Sequence, residues 1–107
     1  MVAVAERTAV QEVPCVADVE RQLGVDGTVS ACRLAAAATL QVAPSGGNGD
    51  VACAAGSSVE FHRSGYLAFC GVAEAPATYR GLSGRETRCR AGARLAFGEG
   101  GFLDYCS

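Results

Sequence analysis

Between residues 53 and 70 the chain reads CAAGSSVEFHRSGYLAFC, and its large apolar residues fall on every second position: Val59 and Phe61 before R-S-G, Leu67 and Phe69 after it. Period-two alternation on both sides of a glycine-bearing turn predicts a β-hairpin with one buried face. A three-residue connection with Gly65 in the left-handed region sets Phe61 opposite Leu67 and Val59 opposite Phe69, with all four on that face. Only glycine adopts such a positive φ without the steric cost of a Cβ.

The pattern is written again in residues 89–106, CRAGARLAFGEGGFLDYC. Sliding Cys53 onto Cys89 brings Val59 onto Leu95, Phe61 onto Phe97, Gly65 onto Gly101, Leu67 onto Leu103 and Cys70 onto Cys106. A third copy, CVADVERQLGVDGTVSAC at residues 15–32, keeps the cysteines and places Leu23 at the phenylalanine position, Gly27 at the glycine and Val29 at the leucine. Self-similarity at about 37 residues predicts three structural units in one domain, about 4–32, 33–70 and 71–107. The lead-ins also match, each running from an apolar residue and Ala through a Thr to a cysteine. The second carries the insertion PSGGNGD, whose composition marks a loop.

A tight turn at A-G or A-D after each opening cysteine would make every unit a three-strand β-meander. The helix-compatible stretches VADVERQLG and RLAAAATLQ are weak, and the repeat register overrules the first. The fold expected is therefore all-β. Val4-Ala5 supplies at the start what Leu34-Ala35 and Val72-Ala73 supply after the first two units, so the first and last units are expected to meet in a closed pseudo-threefold barrel or trefoil-like body. Closure also hides sheet edges, which otherwise invite pairing. An open antiparallel sheet is the alternative.

Six cysteines in 107 residues, evenly spaced, read as three disulfides and hence as an oxidising compartment: secreted, periplasmic or cell surface. MVAVAERTAV is not an intact signal peptide. Two pairing schemes stand open. Pairing within units joins Cys15 to Cys32, Cys53 to Cys70 and Cys89 to Cys106; pairing between neighbours joins Cys32 to Cys53, Cys70 to Cys89 and Cys106 to Cys15. Against the first, strands two apart in a sheet lie roughly 9 to 10 Å apart, beyond the usual Cα reach of about 4.4 to 6.8 Å. The first strand would have to curl over the second. Zinc is disfavoured because no C-x-x-C or C-x-H occurs, and no cofactor is expected.

Half of the chain's residues are apolar but only 7% are aromatic and none is tryptophan, so the core is built from small side chains and gains from the staples. The net charge of −2, without a basic run, argues against nucleic acid, and no apolar stretch is long enough to span a membrane. His62 is the only histidine, with no second group to orient it and Gly24 and Gly98 at its sister positions, so the chain reads as non-enzymatic. Contact residues are drawn instead from the hairpin tips and aromatics: His62, Arg63, Tyr66, Tyr79, Arg80 and Phe102, since aromatics and arginine anchor interfaces.

The consensus V-x-C-x-x-G-x-x-V-x-F-x-x-x-G-x-L-x-x-C resembles hairpin repeats of bacterial exported proteins and is loosely similar to MORN repeats, from which it departs in its longer period and its cysteine pairs. The resemblance implies a binding or scaffolding role toward a protein or a surface polymer, and carries over no catalytic residue. The other function weighed is a secreted inhibitor or toxin-like effector acting through a protruding loop such as PSGGNGD or SGRETR.

Overall fold

The computed structural model describes residues 3–17, 21–71 and 77–106. They form twelve strands: β1 (Ala3–Arg7), β2 (Glu12–Val16), β3 (Gln22–Leu23), β4 (Val29–Arg33), β5 (Ala38–Gln41), β6 (Asp50–Cys53), β7 (Ser58–Phe61), β8 (Leu67–Gly71), β9 (Ala77–Arg80), β10 (Glu86–Cys89), β11 (Arg94–Phe97) and β12 (Leu103–Cys106). The one helical turn among them is a 3-10 turn at Pro44–Gly46, and RLAAAATLQ runs into β5. Asp18, read as part of a turn, and Val72-Ala73 lie outside the described residues.

The fold is all-β, with four strands in each span bracketed by a lead-in and a cysteine pair. Two form a separate hairpin (β1–β2, β5–β6, β9–β10) and two belong to a six-stranded antiparallel sheet of order β12-β11-β8-β7-β4-β3. Here the structure departs from the meander. The strand carrying each opening cysteine pairs with the strand before it rather than the one after it, as in Val4 opposite Cys15 and Ala38 opposite Cys53.

The disulfides are Cys15–Cys32, Cys53–Cys70 and Cys89–Cys106, the intra-unit set, with Cα separations of 5.8, 5.9 and 5.9 Å. The distance objection assumed that both cysteines share one sheet. They do not: each bridge ties a hairpin to the sheet strand it covers, so the three hairpins form a second layer. The slab measures 38 × 27 × 17 Å, thin enough for two layers stacked about 10 Å apart. Between them lie Val13, Val29, Leu34, Leu40, Val51, Val59, Phe61, Leu67, Tyr79, Leu95, Phe97 and Leu103 with the cysteines.

Closure into a barrel is not found. Pairing of β4 with β7 and of β8 with β11 adds each unit to the same side of the last, so β3 and β12 end as opposite, unjoined edges of an open sheet.

The hairpin turns behave as glycine placement predicts. Gly27, Gly65 and Gly101 have φ between 82 and 94°, and Gly84, not singled out from the sequence, shares that conformation; the pairs His62 N–H to Tyr66 O and Gly65 N–H to His62 O close the three-residue connection. Phe61 lies opposite Leu67 as expected, but Glu60, not Val59, lies opposite Phe69, because a register shift leaves Ala68 as an extra residue. The same shift recurs in the other two sheet hairpins, where Ser30 and Asp104 are the extra residues. A bulge resets the alternation. It turns Leu67 and Cys70, three apart, toward the same layer, where both are fully buried, and puts Phe69 on the opposite face. The buried set is thus Val59, Phe61, Leu67 and Cys70, and Phe69 leaves the predicted quartet.

Candidate contact surface

Two structural features could carry contacts: the tips where units meet, and the face of the sheet that no hairpin covers. At the first meeting, the tip of β1–β2 folds onto the second unit. The Thr8 hydroxyl donates to the Gly65 carbonyl (2.8 Å) and accepts from the Val10 and Gln11 N–H groups. The Gln11 amide donates to the carbonyls of Gly65 and Gln41 (both 3.1 Å), and its oxygen accepts from Gln41 N–H at 2.8 Å. Thr8 and Gln11 are both buried, and these bonds satisfy polar groups that would otherwise cost free energy to remove from water.

The second meeting uses the same chemistry. Asn48 donates its amide to the carbonyls of Arg80 (2.9 Å) and Gly101 (2.8 Å) and accepts from Arg80 N–H at 2.6 Å. The backbones approach closely: a Cβ on Gly65 would lie 2.8 Å from the Ala9 nitrogen, and one on Gly101 would collide with the Ala43 carbonyl. The PSGGNGD insertion is therefore folded back onto the third unit, with Gly46 buried against Gly101.

The residues singled out from the sequence are dispersed by this arrangement. His62 is half-buried, and its Nε2 lies 2.9 Å from the Phe97 carbonyl, so the ring links the second and third sheet hairpins with Nε2–H as donor. Arg63 is exposed and lines, with His62, Val25 and Asp26, a groove of about 480 Å³ beside the Thr8 tip. The Asp26 carboxyl there is held below its ordinary range, chiefly by the Thr28 hydroxyl and then by the Thr28 N–H. Tyr66 and Phe102 are half-buried, and Arg80 is exposed beside the Asn48 clamp.

Tyr79 is not on the open surface but in the core. It is 6% exposed and packs edge-on to Phe97 with ring centroids 5.4 Å apart, and burial raises its phenol above the ordinary value of 10.0.

The uncovered sheet face carries what the sequence reading missed. Across it runs one register row, Gln22, Ala31, Glu60, Phe69, Ala96, Tyr105, each opposite the next on the neighbouring strand. Phe69 and Tyr105 flank Ala96, and Tyr105 is 54% exposed. Next to Phe69, the small residues Ala54–Ser58 and Gly92 with Arg94 border a groove of about 600 Å³. The lost signal was the bulge, since strict alternation assigns Phe69 inward.

All six cysteines are in disulfides, an arrangement compatible with an oxidising, extracellular setting. Among the described residues no helix is long and apolar enough to cross a membrane, and no cluster of metal-ligating side chains is gathered. Comparison with known families, with characterised proteins and with solved structures finds no match to this chain.

Proposed function

We propose that the protein is an exported, disulfide-stapled β-repeat module that binds a protein or a surface polymer through the uncovered face of its six-stranded sheet. The observation that carries this is the Phe69–Ala96–Tyr105 row. One face of the sheet is sealed by three stapled hairpins, while the other presents two aromatic side chains flanking a small residue, with Glu60 beside them. Aromatic groups on a rigid, open surface are the usual anchors of an interface. The resemblance to bacterial exported hairpin repeats and to MORN arrays supports the same scaffolding role, and the engagement of His62 with a backbone carbonyl supports a non-catalytic one. An effector acting through the 44–50 loop draws less support, because Asn48 and Gly46 tie that loop to the third unit.

The reading is tested by affinity capture from extracellular and envelope fractions with the intact protein, with Phe69→Ala/Tyr105→Ala, and with Arg63→Ala as a tip control. Capture lost in the face variant and kept in the tip variant supports it. Equal capture by all three defeats it.

A further inference from the structure

The two meetings between units are built alike, and each has two halves. One half is a hairpin tip that reaches past its own unit; the other is a sheet hairpin whose turn glycine receives it. Thr8, Ala9 and Gln11 reach Gly65, and Ala43, Gly46 and Asn48 reach Gly101. In both, the closing strand of one unit also pairs antiparallel with the sheet strand that follows: β4 with β7, β8 with β11.

At the ends of the slab each half recurs without its counterpart. The third tip, Gly81 to Arg85, meets no following glycine: Leu82 is 82% exposed, and a Cβ on Gly84 would touch nothing within 4 Å. Below it Thr87 is exposed at the position held by the fully buried Val13 and Val51. At the other end no tip among the described residues covers the first sheet hairpin as Thr8 and Ala43 cover the other two. The space around Gly27 is open, and Leu23, equivalent in register to Phe61 and Phe97, is 46% exposed where they are 9% and 3%. Along its outer edge β12 is met at Leu103 by a parallel bridge from Gly81 of its own tip; the remainder of that edge and the outer edge of β3 carry no strand among the described residues.

We propose that these halves mate between molecules: a second copy of this chain docks head to tail, its β3 pairing antiparallel with the part of β12 that follows Leu103 and its Gly27 turn lying under the Leu82 tip. The occupant is chosen by continuity with the two internal joints, which already show this surface pair fitting within one chain. Both halves change character together. The internal joints set Val13 and Val51 over apolar strands, whereas the outer pair sets Thr87 and Arg85 against a unit whose inward positions are Glu6 and Arg21, joined by an ion pair of 2.8 Å. This makes the outer joint a more polar and more readily reversible version of the internal ones. Pairing of two β12 edges is disfavoured because both overhanging tips would claim the same space. The contact is heterologous, and contacts of that kind build rings or open filaments rather than stopping at a dimer.

Sedimentation velocity across a concentration series tests this. The intact protein is expected to rise above its 10.9 kDa monomer mass as concentration increases, and Leu82→Lys, at an exposed position, is expected to weaken association at least tenfold, about 1.4 kcal/mol. Leu23→Lys removes the other half. Each variant alone remains monomeric, while their mixture forms a 1:1 dimer and stops, because each keeps the half that the other lacks. Circular dichroism and a non-reducing mass confirm that both variants are folded and stapled; Leu82→Lys decides alone if Leu23→Lys is not. An intact protein that stays monomeric to ~1 mM, where a contact would be worth only about 4 kcal/mol, overturns the proposal. So does association by Leu23→Lys alone, which would mean that like ends pair.

Discussion

The first and third units share a strand plan and differ in what fills it. At corresponding inward positions of the hairpin and the sheet strand beneath, the third unit carries Tyr79, Leu95 and Phe97, while the first carries Glu6, Arg21 and Leu23. In the third unit two aromatic rings meet edge-on at 5.4 Å. In the first a carboxylate and a guanidinium meet at 2.8 Å with side-chain exposures of 16% and 30%. The backbone plan therefore does not depend on the filling. Turn glycines, bulges and staples hold it, and the filling follows how much cover each place receives. Third-unit positions lie against the second unit's tip and sheet, and among the described residues no hairpin lies on the outer side of the first unit.

Five tests probe that contrast, in falling order of expected effect. Phe97→Ala removes a ring that is 3% exposed and should cost about 3–5 kcal/mol, whereas Leu23→Ala at the same register should cost under about 1 kcal/mol. Equal losses in chemical denaturation would show that both ends are packed alike. Next, replacing both cysteines of one bridge by serine should cost about 3 kcal/mol whether Cys15 and Cys32 or Cys89 and Cys106 are chosen, because each loop spans 17 residues. A large difference between the two would mean that native packing rather than loop entropy sets the value.

Third, Gly101→Ala meets the Ala43 backbone as well as an unfavourable φ, while Gly27→Ala meets open space and pays only for φ. The second should cost about 1–2 kcal/mol and the first at least about 1 kcal/mol more, and thermal melts would rank them. Fourth, the buried Tyr79 phenol titrates above its unfolded value near 10.0. Its neutral form is favoured in the fold, so this contribution is complete below pH 10 and is lost as pH rises through the raised folded value. Tyr79→Phe should flatten that alkaline limb of a stability profile, and an unchanged limb would place its cause elsewhere. Smallest, the double change Glu6→Leu with Arg21→Leu should alter stability by less than about 1 kcal/mol, since the desolvation cost of a partly buried ion pair largely offsets its attraction. A larger loss would make that pair a structural lock on the first unit.

Much of the architecture was legible from residue types with a single conformational meaning. Glycines at 27, 65 and 101 announced their turns because no other residue tolerates that φ cheaply, and the V-x-F and L-x-F runs predicted the pairing inside each sheet hairpin, though not that of the opening-cysteine strands. The candidate contact face was not legible. Phe69 and Tyr105 reach the open face only because one extra residue in each closing strand resets the side-chain direction, and period-two reasoning has no means of detecting a bulge. Nor could Tyr79 be told from an exposed aromatic, since its burial depends on a ring from a strand 18 residues away. Gln11 and Asn48 differ in type and in distance from their cysteines, so only their shared partners, a strand backbone and a turn glycine, reveal a common role.

The sequence by itself determined the all-β class, the hairpin turns and a restricted choice of disulfide schemes. These rest on local physics: backbone sterics, side-chain alternation and the short reach of a disulfide. Tertiary structure alone decided that opening-cysteine strands leave the sheet to form a covering layer, that the sheet stays open, and which aromatics face outward. Each of those outcomes is set by which strand edges pair across the chain. Backbone hydrogen bonds satisfy any strand equally, so that choice is made by the packing of the whole slab and not by any one segment.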